Sequence, residues 1–186
     1  MSYDYETYVT NYSSNFKRVV IDPKYLEKIK ELAEKIVRKK MTESHHLVDH
    51  NQEIKRFTTG LMGEAALEKL LGIKIIDWTI GDSASYHYPD IPGYKVGIKT
   101  VEKGKFPIIF KDNWYPQIIC IRSDRFDNLV FVCGLATPKV LNECQSDELI
   151  LDPNLRRRGT KTGFWGFSNL IHIDSLADLE AYRKGL

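Results

Sequence analysis

Long apolar runs are missing from this chain. No stretch approaches the ~20 consecutive apolar residues that a membrane-crossing helix needs. The N-terminal MSYDYETYVTNYSSNF lacks the apolar core of a secretion signal. A membrane partner is therefore not expected. Cysteine is scarce too, with three residues at 120, 133 and 144. Cys120 and Cys133 sit in apolar strand-like runs, where a reduced thiol behaves as a small hydrophobe, and Cys144 lies in a polar segment. No spacing among them matches a zinc knuckle or a disulfide framework, which points to a reducing, cytoplasmic setting. A dominant charge is the third absence. Lys and Arg number 27 against 25 Asp and Glu, for a net charge of +2. Bulk charge does not announce a nucleic-acid binder, so any basic surface has to be local. Internal repeats, low-complexity tracts and linker compositions are absent as well. The 186 residues suit one domain with a sizeable core, in which residues 1–20, rich in Tyr, Ser, Thr and Asn, form an N-terminal arm.

What is present divides into helices, then a mostly β region, then a helix. Asp22-Pro23 places an N-cap and a first-turn proline ahead of an apolar stripe of Leu26, Ile29, Ala33, Ile36 and Val37. A second helix is expected from about Gln52 to Leu71, stopped by Gly72. Gly60 and Gly63 are poor helix formers, and one turn apart they suggest close packing against a neighbouring element. Strands are expected over IKIIDWT, YKVGIKTVE, FPIIF, PQIICIR, LVFVCGLAT, DELILD and LIHI, with Gly104 turning a hairpin between the second and third. PQIICIR and LVFVCGLAT read as central strands covered on both faces. PKVLNECQS is expected to be a short helix, and LRRRGTKTGFWGF a basic loop. Ser175-x-x-Asp178 opens a terminal helix.

Three side chains stand out from this frame. Glu64 lies beside the helical glycines, Asp90 follows Pro89 in a loop, and Lys99 sits in an apolar strand. Each has an ordinary alternative: a solvated helix residue, a turn former and an edge-strand gatekeeper. Together they supply what metal-dependent phosphodiester cleavage requires. Carboxylates hold a cation, and a lysine orients water or offsets developing charge.

The order of these residues resembles the PD-(D/E)XK nuclease superfamily, the restriction-endonuclease-like fold. The motifs that carry the resemblance are G60-L-M-G-E64-A-A-L, P89-D90 and G97-I98-K99-T100, within a stretch from Arg56 to Ala136. The resemblance implies an α/β core with a central mixed sheet flanked by helices. It implies a metal-dependent DNA endonuclease using Mg2+ or Mn2+, leaving 5′-phosphate ends. Asp90 and Glu64 would hold the metal, the Ile98 carbonyl would complete its shell, and Lys99 would act on water or the leaving charge. Many members pair to cut both strands, so a homodimer is among the implied partners. The sequence departs from the pattern at Gly97, where the superfamily normally carries Asp, Glu or sometimes Gln or Ser. Either Glu64 supplies the second acid from its helix, or the fold is retained as a catalytically decayed nucleic-acid-binding or protein-interaction module. Strand alternation sets Glu102 on the face opposite Lys99, so it is a poor substitute.

Other candidates are accessory. Gln117 opens the next strand, where the superfamily often places a polar residue to hold water. His87 borders Pro89-Asp90, either to touch substrate or to pack the loop. Arg156, Arg157, Arg158 and Lys161 form the densest basic run and are expected to contact phosphates; a solvated loop is the alternative. His45, His46, Asp49 and His50 lack a third strong ligand at a recognised zinc spacing. Phe164, Trp165 and Phe167 are expected in core and turn packing.

Overall fold

The computed structural model describes residues 2–43, 49–79, 90–91 and 93–185. Two long helices form one layer. α2 (Pro23–Glu43) starts where the Asp22 carboxylate accepts the Lys24 N–H at 2.8 Å, with Pro23 in the first turn. It follows a four-residue helix, α1 (Tyr5–Tyr8). Its stripe of Leu26, Ile29, Ala33, Ile36 and Val37 is buried as expected. α3 (His50–Leu71) is capped by Asp49, which accepts the Asn51 and Gln52 amides, and ends at Gly72 in the left-handed conformation.

The central sheet has the order β1-β5-β4-β2. β1 (Lys17–Val20) and β4 (Gln117–Arg122) run antiparallel to β5 (Leu129–Ala136), while β2 (Gly97–Glu102) runs parallel to β4. The sheet is therefore mixed. The N-terminal arm contributes its edge strand β1, and β2 forms the other edge. One face is covered by α2 and α3 through Met62, Ala66, Leu67, Ile118, Cys120 and Leu135, joined by Leu179. Leu179 belongs to α6 (Leu176–Arg183), whose Ser175/Asp178 capping box is formed as expected. The other face packs on Ile119, Ile121, Cys133, Phe164 and Phe167, together with Leu141 of α4 (Pro138–Glu143). Phe164 and Phe167 are thus core residues. A second, antiparallel sheet of order β3-β7-β6 lies on that side, built from β3 (Ile108–Phe110), β6 (Gln145–Ser146) and β7 (Lys161–Phe164).

Several expected elements differ. Ile73–Thr79 is not a strand. The Glu68 carboxylate accepts the Ile75 and Ile76 amides at 2.7 and 2.8 Å, so both donors are satisfied without a sheet neighbour. The hairpin at Gly104 is absent because β3 pairs with β7 and not with β2. DELILD is a short 3-10 turn, and LIHI makes a single bridge, Ile171 to Leu135. The basic loop is instead a helix, α5 (Pro153–Arg158), followed by β7. Asp152 caps α5, Pro153 lies in its first turn and left-handed Gly159 ends it. Among the described residues, no helix is long and apolar enough to cross a membrane.

Only one of the two helical glycines makes a close approach. A Cβ on Gly63 would overlap the Thr100 Oγ1 and come within 2.9 Å of its Cβ, so α3 lies directly on β2 there. A Cβ on Gly60 meets nothing within 4 Å. Gly63→Ala should cost about 2 kcal/mol, and Thr100→Ala in the same chain should recover part of it. Gly60→Ala should stabilise by about 0.5–1 kcal/mol through helix propensity. Urea denaturation of the four variants checks this; equal effects at the two glycines would refute the close approach.

Candidate active site

β2 is an edge strand, so alternate backbone groups along it lack a sheet partner. The Gly97 N–H bonds inward to the Pro116 carbonyl at 3.0 Å. The Ile98 N–H points to the free edge, where Asp90 Oδ2 accepts it at 2.6 Å. An extended residue directs its N–H and C=O to the same side, so the Ile98 carbonyl faces this edge too. Asp90 is reached by a tight return in which Ile91 and Val96 form a bridge. The edge of β2 thus gathers a carboxylate, a main-chain carbonyl and the start of the strand.

Glu64 comes to the same place from α3. It directly follows Gly63, the point of contact with β2. Its carboxyl is pushed up to about 8, first by burial and then by the negative charge of Asp90, with Glu68 and Asp77 adding to it. Asp90 is also raised by burial of its carboxyl group, against the opposing pull of the Ile98 N–H and of Lys99. As a residue Asp90 remains exposed; the carboxyl is the part turned toward the protein.

Lys99 approaches from the opposite face. It pairs in register with Ile119, a member of the core beneath the second sheet. Burial lowers its pKa to about 8, and the charges of Lys161 and Arg56 push the same way, while Asp90 opposes them. Asp90 is therefore the electrostatic link between Glu64 and Lys99. Glu102, one residue beyond Val101, bonds Lys55 of α3 and Lys105, both at 2.7 Å. It belongs to the helix face, as alternation requires, and takes no part in the Asp90–Lys99 grouping.

Gly97 leaves a gap at the centre of the site. A Cβ there would sit 3.4 Å from Gln117 Cγ and 3.7 Å from Asp90 Oδ2. The Gln117 side chain lies alongside, paired in register with Gly97. Of the basic run, Lys161 is drawn into the site through its effect on Lys99. Arg156 on α5 is occupied elsewhere, its guanidinium donating to the Ile150 carbonyl at 2.7 Å. Arg157 and Arg158 are exposed on α5. Arg56 was not singled out by the sequence. It is held by two bonds to Glu53, at 2.9 and 3.0 Å, and stacks on Phe57 with 4.6 Å to the ring centroid. Its only signal was a position two turns before Glu64 on the same helix. His45, His46 and His87 lie outside the described residues, and Asp49 serves as the α3 cap. No group of three or more His, Cys, Asp or Glu that could hold a metal ion occurs among the described residues.

Comparison with protein-family models, with curated proteins and with solved structures returns no match.

These titrations make stability depend on pH in a defined direction. Glu64 has a folded pKa above its unfolded value, so its contribution declines as pH rises from about 4.5 to about 8. Glu64→Gln removes that slope and should be more stable than wild type by about 2 kcal/mol at the upper end of the range. Lys99 has a folded pKa below its unfolded value, so stability rises from about pH 8 to about 10.5. Lys99→Met should exceed wild type below pH 8 and lose that advantage above it. Thermal unfolding across pH tests both; a Glu64→Gln difference that does not change with pH would be incompatible with a buried, proton-binding Glu64.

Proposed function

We propose that this chain is a metal-dependent DNA endonuclease built on a restriction-endonuclease-like core. The observation that carries the reading is the grouping of Glu64, Lys99 and the Ile98 amide around Asp90, in the order of the nuclease motifs. A hard divalent cation, Mg2+ or Mn2+, fits the donors present. Two carboxylates and the Ile98 carbonyl supply oxygen, and such ions bind few protein carboxylates and keep several waters. Burial first and the negative charge of Asp90 second hold Glu64 protonated, and a cation between the two carboxylates offsets both. When bound, the ion supplies Lewis-acid polarisation of the phosphate and a more acidic water.

The chain's own residues do the rest. Asp90 is oriented by the Ile98 amide and is not free to rotate away. Lys99 keeps most of its charge at neutral pH, yet lies close enough to its pKa to exchange a proton with water at the phosphate. Arg56 and Lys161 add positive field where the transition state gains negative charge. Gln117 offers an amide beside the gap at Gly97, placed to hold a water. Arg157 and Arg158 are available for phosphates further along a duplex, where they would position the substrate without reading its sequence.

Gly97 favours a second reading, a decayed nuclease fold that binds nucleic acid or a protein. The two separate in one experiment. Under the first, supercoiled and linear DNA are cut with Mg2+ or Mn2+ and not with EDTA, and Asp90→Ala and Lys99→Ala each lose roughly 10²-fold or more. Mn2+ should also raise the Tm of wild type but not of Asp90→Asn, with a larger rise at about pH 8 than at about pH 6 because Glu64 must ionise. No cutting with any metal, alongside salt-sensitive DNA binding, would favour the second reading. In that case Gly97→Glu, which adds the acid that the motif lacks, is the substitution expected to restore cutting.

A further inference from the structure

Three large aromatic side chains stand in solvent at the end of β3 and on the segment joining it to β4. Phe110 is 57 %, Trp114 83 % and Tyr115 51 % exposed. Holding this much apolar surface in water is unfavourable, and exposed apolar surface close together along the chain is a feature of binding sites. The segment is not free to fold them inward. Asn113, between them, is 7 % exposed and locked to α4. Its backbone N–H donates to Asn142 Oδ1 at 2.9 Å, and its side-chain amide donates to the same atom at 3.1 Å and to the Phe110 carbonyl at 2.7 Å. The Asn142 amide donates back to the Asn113 carbonyl at 3.1 Å, and the Gln145 amide to the Lys111 carbonyl at 3.0 Å. One buried asparagine therefore pins the loop while its aromatic neighbours project outward.

The segment is tied to the candidate site at both ends. Tyr115 and Pro116 run straight into Gln117, and the Pro116 carbonyl accepts the Gly97 N–H. Phe110 stands opposite Lys161 in the β3–β7 register, with the lysine Nζ 5.3 Å from its ring centroid. Lys161 is in turn the cation whose charge weighs most on Lys99. Aromatic faces interleaved with cations beside a phosphate-directed lysine match the chemistry of an unpaired strand. Its bases offer π-faces to stack and its backbone offers charge. A closed duplex hides those faces.

We infer that Phe110, Trp114 and Tyr115 form a stacking platform for unpaired bases, and that the DNA delivered to Lys99 is single-stranded there, as a free strand or a frayed or flapped end. The inference rests on the proposed nuclease site but makes its own prediction. A fluorescein-labelled single strand of about sixteen nucleotides, and a blunt duplex of the same length, are titrated in EDTA and followed by anisotropy. Wild type should bind the single strand more tightly than the duplex. Trp114→Ala and Tyr115→Ala should each weaken single-strand binding about tenfold and leave duplex binding unchanged. Both side chains are exposed, so neither change should disturb folding. Equal affinity for the two probes, or wild-type binding by both variants, overturns the platform. So does a change of oligomeric state in the variants without a change in binding, which would mark the surface as a protein interface. Single-strand binding that needs Trp114, with no cutting in any metal, upholds the platform and removes the nuclease. Metal-dependent cutting of duplex that is indifferent to Trp114→Ala does the reverse. Binding to neither probe overturns the platform, and cutting with Mg2+ or Mn2+ then decides the nuclease.

Discussion

Gly63 lets α3 lie so close to β2 that Thr100 fills the space a side chain would take. The rest of the site follows from that contact. The next residue along the helix is Glu64, which is thereby carried to the start of β2 and into the field of Asp90. β2 is the outermost strand, so its Ile98 amide is open to Asp90 and not consumed by a further neighbour. A helix held off by even a methyl group would separate the two carboxyls. It would also loosen the packing of Met62 and Ala66 on the sheet, where the larger core lies.

The site runs against the preferences of its own groups. Burial disfavours charge on Glu64, Asp90 and Lys99 alike, and the neighbours worsen two of them: an acid beside Glu64, cations beside Lys99. Partial compensation is local, through the Ile98 amide on Asp90 and the attraction between Asp90 and Lys99. The remainder is offset by two cores on opposite faces of the sheet. Groups so arranged have their titration moved toward neutrality, where proton transfer is most useful, at a cost in stability of the ligand-free protein.

Much of this was legible in the sequence where the signal is local. α2, α3 and α6 were marked by period and caps, and β4 and β5 by dense β-branched runs buried on both faces. The failures share a cause, which is a partner distant in sequence. Ile73–Thr79 has the composition of a strand, but Glu68 takes its amides. FPIIF has the look of a hairpin arm, but its partner is some fifty residues on. α5 is different: Asp152-Pro153 and Gly159 repeat the signal recognised at Asp22-Pro23, and the run of arginines masked it. Glu64, Asp90 and Lys99 could be singled out through the order of short motifs. The parts played by Arg56 and Lys161 could not, because they depend on where α3 and β7 lie relative to Lys99.

Gly97 is best understood with Gln117 and not as a simple loss. The two are register partners on adjacent parallel strands, and the glutamine side chain lies where a residue at 97 would project. An acid at that point would stand beside Asp90, whose carboxyl is already disfavoured by burial, and would add a third carboxyl to the pair formed with Glu64. Placing the second acid on α3 separates the two carboxylates onto different elements, one on the helix layer and one on the strand edge. The glycine and the helix acid are thus parts of one arrangement around the open edge of β2.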